Sequence, residues 1–147
     1  MGFCLKSAEK ESGRKFFQKH KEEIYAKYGK QNQAYIKQRK AVDPVFKLSL
    51  QIRVNIYDAF KRRGCRKDSR CAEITGLSAP DLANYLVETF RNNYGREWDG
   101  VEAVHIDHII PLATAESIDD VKRLCHYTNL QLLTAEDNLR KNAKLDY

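Results

Sequence analysis

The last third of the chain admits few folds, because two short strands and a capped helix follow one another within it. Val104 to Ile109 reads as a strand, and Pro111 stops it. Leu130-Gln131-Leu132-Leu133 reads as a second strand. Thr134 then caps a helix expected to reach about Lys144, with Asp137 three residues on to complete a capping box. Strand, loop, strand, helix is the smallest frame that can bring Asp107, His108 and Asn138 together.

Upstream the pattern is helical, which makes the chain α+β. Ser7 to Tyr28 reads as a helix with Ser7 as its N-cap, Gly29 interrupts, and Gln31 to Lys40 is a second short helix. Asp43-Pro44 opens a third, with Asp43 as N-cap and Pro44 in the first helical position. Here two periods compete. Phe46, Leu48, Leu50, Ile52, Val54 and Ile56 alternate as in a strand, while Val45-Leu48-Ile52-Ile56-Phe60 forms a helical stripe. The Asp-Pro start, the length and Gly64 as a stop decide for helix. A short turn around Ala72 to Thr75 ends at Gly76, and Ser78 caps a helix to Asn92 with Leu82, Tyr85, Leu86 and Phe90 on its apolar face. Trp98 is read as packing under the last unit, and Ser117 to Leu124 as a short capped helix.

Charge divides the chain. Residues 1–70 hold 19 Lys and Arg against 7 Asp and Glu, a net of +12; residues 71–147 hold 7 against 13, a net of −6. A basic half joined to an acidic one fits an arm that grips a polyanion, attached to a metal-dependent unit. A merely solvated charged helix is the plainer alternative. The cations expected to meet DNA are Arg14, Lys15, Lys19, Lys37, Arg39, Lys40, Lys61, Arg62, Arg63, Arg66, Lys67 and Arg70.

No run approaches the length of a transmembrane span, and the N-terminus lacks the apolar stretch of a signal peptide. A cytoplasmic protein with no membrane partner is expected. Cys4, Cys65, Cys71 and Cys125 form no CxxC pair, so reduced thiols are expected and structural zinc is not.

The chemistry lies in His105-Ile106-Asp107-His108-Ile109-Ile110-Pro111, Asn129 and Asn138. An aspartate directly before a histidine offers a metal-binding oxygen and a proton acceptor side by side. Neighbouring strand residues face opposite ways, so the strand end must bend if both are to reach one phosphate. Asn138, one turn into the last helix, can approach Asp107 as a second ligand. One carboxylate, one amide oxygen and waters suit Mg²⁺, or Mn²⁺. His108 can take a proton from the attacking water, and Asn129 is placed to hydrogen-bond its imidazole. His105 shares a strand face with Asp107 and is expected to make structural hydrogen bonds, with contact to phosphate or to the metal's waters as the alternative. His126 is expected to position the loop before Asn129, with substrate contact as the alternative. His20 is expected at the surface.

These residues, with Leu124-Cys125-His126-Tyr127-Thr128-Asn129-Leu130-Gln131 and Ala135-Glu136-Asp137-Asn138-Leu139, resemble the HNH endonucleases of phage and homing type. The resemblance implies a small ββα-metal catalytic unit preceded by a mostly helical, basic region. Asp107 and Asn138 would hold the metal, His108 would be the general base and Asn129 the orienting residue. Three segments are then expected: a basic helical DNA-binding arm at 1–42, a supporting helical region at 43–95 and the nuclease unit at 96–147. The chain departs from the pattern in lacking an upstream CxxC zinc knuckle, and in Gln131-Leu132-Leu133-Thr134 where Gln-Pro-Leu-Trp is more usual. The expected activity is metal-dependent hydrolysis of double-stranded DNA by a monomer, encoded by a phage or mobile element and acting in the host cytoplasm. The rival is a DNA-binding accessory protein on the same scaffold, without turnover.

Overall fold

The computed structural model describes residues 3–64 and 66–142, and over 3–12 and 14 the backbone alone. It is mostly helical with one small antiparallel sheet, an α+β chain. Two units separate at Met1–Ala41 and Val42–Tyr147.

The first unit is nearly all one helix, α1 (Phe3–Val42). The helix already runs through Ser7, so Ser7 is not its cap. Gly29 does not break it either: a glycine costs about 1 kcal/mol in a helix interior, too little to stop a long run of helix formers. The irregularity falls instead at His20 (φ −109°, ψ 15°). There the imidazole lies 4.6 Å from the Phe16 ring and its Nδ1 3.1 Å from Glu23 Oε2. Phe16, Tyr25, Tyr28 and Tyr35 are exposed, and Lys21 and Lys27 lie over the Tyr25 and Tyr28 rings.

The second unit begins at the Asp-Pro signal. Asp43 accepts from the Phe46 amide at 2.8 Å and starts α2 (Pro44–Arg62). Leu48, Ile52, Ile56, Ala59 and Phe60 are buried, a helical spacing, while Val54 and Tyr57 are exposed. The helical period therefore prevails over the alternating one. After α3 (Cys71–Thr75), Gly76 adopts φ +79°, and a Cβ there would stand 2.6 Å from His126 Nε2. The positive φ favours glycine, and any larger residue would also have to displace the imidazole. Ser78 caps α4 (Ala79–Tyr94), whose Leu82, Ala83, Leu86 and Phe90 pack on α2.

β1 (Val104–His108) pairs antiparallel with β2 (Leu130–Thr134), with Asp107 opposite Gln131 and His108 opposite Leu130. Between them, α5 (Ile118–Leu124) carries the Ser117–Asp120 capping box. α6 (Ala135–Lys141) follows β2 directly. Thr134 accepts from the Asp137 amide at 3.1 Å, but the expected box is not closed. Tyr94 takes the return bond: the Thr134 amide donates to its hydroxyl at 3.0 Å, and that hydroxyl donates to Asp137 at 2.7 Å. The expected end of this helix at Lys144 lies outside the described residues. Leu130, Leu132, Val121, Leu124 and Cys125 join α2 and α4 in one core. The helices of 43–95 and the β1–β2–α6 segment lie in one compact unit and share one core.

Candidate functional site

β1 is a regular strand through His108 and the chain bends just beyond it, at Ile109 and Ile110, too late to turn Asp107 and His108 to one side. Asp107 and His108 consequently face different surroundings, as a pleated strand requires.

Asp107 is turned into the protein and is only 7% exposed. Its Oδ2 accepts from Gln131 Nε2 at 2.9 Å and from Lys141 Nζ at 2.9 Å, and its Oδ1 lies 3.2 Å from the same ammonium. Lys141 is 3% exposed and also donates to the His108 carbonyl at 2.8 Å. An ammonium has three N–H groups, and here it meets three oxygens. A buried lysine needs such partners, since an unpaired charge costs several kcal/mol out of water. Lys141 therefore ties α6 to β1 at the two central motif residues. Sequence reasoning missed it, because Lys141 at the end of a short helix reads simply as a cation at a helix C-terminus.

His108 is half-buried, and its Nε2 lies 3.9 Å from the Cys125 sulfur. Burial pushes the imidazole down from 6.5 to about 4; the Asp107 carboxylate opposes that shift and the Lys141 ammonium adds to it. Burial also raises the Cys125 thiol to about 11. At neutral pH the pair is thus a neutral imidazole beside a protonated thiol. Cys71 and Cys125 are free thiols, while Cys65 and the Cys4 side chain lie outside the described residues.

Asn129 does not bond to the imidazole as expected. Its Oδ1 accepts from the Ile110 amide at 2.9 Å, and its Nδ2 donates to the carbonyls of Ile110 at 3.1 Å and Leu124 at 2.8 Å. The Ile109 amide also donates to the Asn129 carbonyl at 2.9 Å. Asn129 therefore pins the chain leaving β1 to the end of α5. Its action on His108 runs through backbone.

Asn138 Nδ2 and His105 Nδ1 lie 3.0 Å apart, so these two side chains meet each other. His105, His108 and Asn138 border an open cleft of about 650 Å³ between β1 and α2. Gln131 and Lys141, the partners of Asp107, border a different and smaller concavity. His126 bonds Thr128 Oγ1 at 2.9 Å, packs on Tyr127 and fills the space over Gly76, a positioning arrangement.

Among the expected DNA-facing cations, Lys15, Lys19, Lys37, Arg39, Lys40, Lys61, Arg62, Arg66 and Arg70 are exposed, and Lys67 is half-buried. The Arg14 side chain lies outside the description. Arg39 donates to the Tyr35 hydroxyl at 3.2 Å. Arg63, though exposed, donates to the Leu112 carbonyl and so holds the end of α2 to the loop after β1.

As a home for a divalent ion, Asp107 and Asn138 are right in kind, a carboxylate and an amide oxygen. The carboxylate already holds a cation, the Lys141 ammonium, and an ion shared with Asn138 would have to take its place. Among the described residues, His, Cys, Asp and Glu form no metal-binding group of three or more, and no helix is long and apolar enough to cross a membrane. Comparison with family models, with curated proteins and with solved structures finds no match to this chain.

Proposed function

We propose that the chain is a metal-dependent DNA endonuclease of the HNH kind, built on a ββα-metal unit. It would hydrolyse phosphodiester bonds to 5′-phosphate and 3′-hydroxyl ends in the cytoplasm of its host. The supporting observation is the convergence of His105, His108 and Asn138 on one open cleft, beside a short antiparallel pair followed directly by a helix. The basic first half of the chain supplies attraction for a polyanion.

In this reading a phosphodiester enters the cleft and His108 accepts the proton of the attacking water. Its low proton affinity keeps the imidazole free at neutral pH, at the cost of basicity. Asn129 holds the loop that carries the chain away from His108. His105 and Asn138, bonded to each other, lie where they can meet a phosphate oxygen. A divalent metal on Asp107 and Asn138 would require Asp107 to leave Lys141 and Gln131; once bound it would supply stabilisation of the charge that builds in hydrolysis.

A non-catalytic DNA-binding protein is the second reading, and one observation favours it: Asp107 and Asn138 are both engaged within the protein. Incubation with supercoiled plasmid separates the two. An endonuclease converts it to nicked or linear DNA in magnesium and not in chelator. Binding with no conversion in magnesium or manganese leaves the accessory reading.

A further inference from the structure

The α2 wall of the same cleft carries a row of polar side chains that the sequence motifs do not explain. Lys47, Gln51, Asn55, Asp58 and Arg62 recur at intervals of four, four, three and four, one face of the helix, and all five line the cleft. The apolar face of α2 lies in the core. A polar row on a helix is ordinarily a solvated surface. This one instead forms a wall shared with His105, His108 and Asn138.

Its composition is also uneven. The cations stand at the ends, about 22 Å apart at 1.5 Å per residue. Two amides and a carboxylate stand between them, with Gln51 Nε2 donating to Asn55 Oδ1 at 2.9 Å. A carboxylate repels phosphate, so Asp58 makes no sense in a groove that takes only a backbone. Amides and carboxylates do match base edges: Asn and Gln pair with adenine, and Asp accepts from the cytosine amino group. Trp98, half-buried and packed in part on the core, also lines the cleft, its indole N–H donating to the Glu102 carbonyl at 3.1 Å. An aromatic face is the other element that an unpaired base needs. The cleft has the volume of a small-ligand site, which suits part of one strand and not a duplex.

We propose that this cleft binds a short unpaired DNA strand, with Lys47 and Arg62 on phosphates, Gln51, Asn55 and Asp58 on base edges and Trp98 as a stacking platform. Placing the strand's phosphodiester against His108 rests on the endonuclease reading; the strand site itself does not. The preferred substrate is then duplex DNA with a locally unpaired stretch.

Trp98 is the only tryptophan of the chain, so its emission reports on this cleft. The full chain is titrated with a short single strand, with the matching duplex, and with that duplex carrying an unpaired stretch. The strand and the interrupted duplex should change Trp98 emission saturably, and the perfect duplex should not. Gln51→Ala with Asn55→Ala, both compatible with a helix, should weaken strand binding by about tenfold or more while binding of perfect duplex by the chain is unchanged. Emission that does not respond to the strand, an equal response to perfect duplex, or full strand affinity in the double variant overturns the proposal. Strand binding with no plasmid cleavage would remove the endonuclease reading and leave the strand site. Cleavage with unresponsive emission would do the reverse.

Discussion

At the scale of residues, the molecule turns on a buried ion pair that joins its motif to its last helix. Lys141 and Asp107 are almost wholly out of water, and each leaves an uncompensated charge if the other is removed. Lys141→Ala is therefore expected to cost about 3–5 kcal/mol of stability, read as a lower urea midpoint with unchanged slope. Replacing both partners, by Asp107→Asn and Lys141→Met, should restore most of that loss; equal instability in the double variant would mean the pair is not the cause. Asp107, His108 and Asn138 stood out in the sequence because their residue types and spacing resemble those of a hydrolytic site. Their partners did not. Lys141 lies 34 positions from Asp107, and no local pattern announces that their side chains meet. Asn129 was visible as a polar residue before a strand, but its bonds to the Ile110 amide and carbonyl and to the Leu124 carbonyl depend on how the chain leaves β1 and how α5 ends.

At the scale of elements, local chemistry explains most starts and stops. Asp43, Ser78, Ser117 and Thr134 each accept from an amide three residues on, and each was legible as a cap. Asp120 closes the box at α5, and its bonds from Arg123 first and Ser117 second hold its carboxyl at about 2, below its ordinary 3.8. A carboxyl lowered in the folded state contributes stability that is present above the unfolded value and lost as pH falls through the folded one. Asp120→Asn should thus lower the thermal midpoint at neutral pH and flatten its decline between about pH 4 and pH 2. A decline as steep as in the parent chain would place the acid sensitivity elsewhere. Two elements resisted a local reading. The helix across Gly29 continues because one glycine is a small penalty in a long helix. The bend after β1 falls at Ile109 and Ile110, beyond Asp107 and His108, because the ladder with β2 holds the strand from Val104 to His108. The polar row on α2 is present in the sequence, but nothing local distinguishes it from a solvated helix face, and only the facing β1 makes it a wall.

At the scale of the whole molecule, the contact boundary sets apart a strongly basic segment, although the basic half of the chain runs on to residue 70. Residues 1–42 carry 11 Lys and Arg against four acids, and α1 ends within a residue of the boundary between the two units. A chain beginning at residue 43 keeps the Asp43 cap and the core, so it should fold and bind DNA weakly. If four phosphate contacts leave with the arm, the slope of log K against log salt should flatten by roughly 3.6. An unchanged slope would show that the arm does not meet DNA. The central claim, that this cleft hydrolyses DNA with His108 as base, is tested most directly by single-turnover cleavage under saturating protein in magnesium, with DNA affinity measured alongside. His108→Ala should lower the cleavage rate by about 10²–10⁴-fold and leave DNA affinity nearly unchanged. A variant that cuts at the parent rate, or a parent chain that binds DNA and never cuts it, would contradict the account.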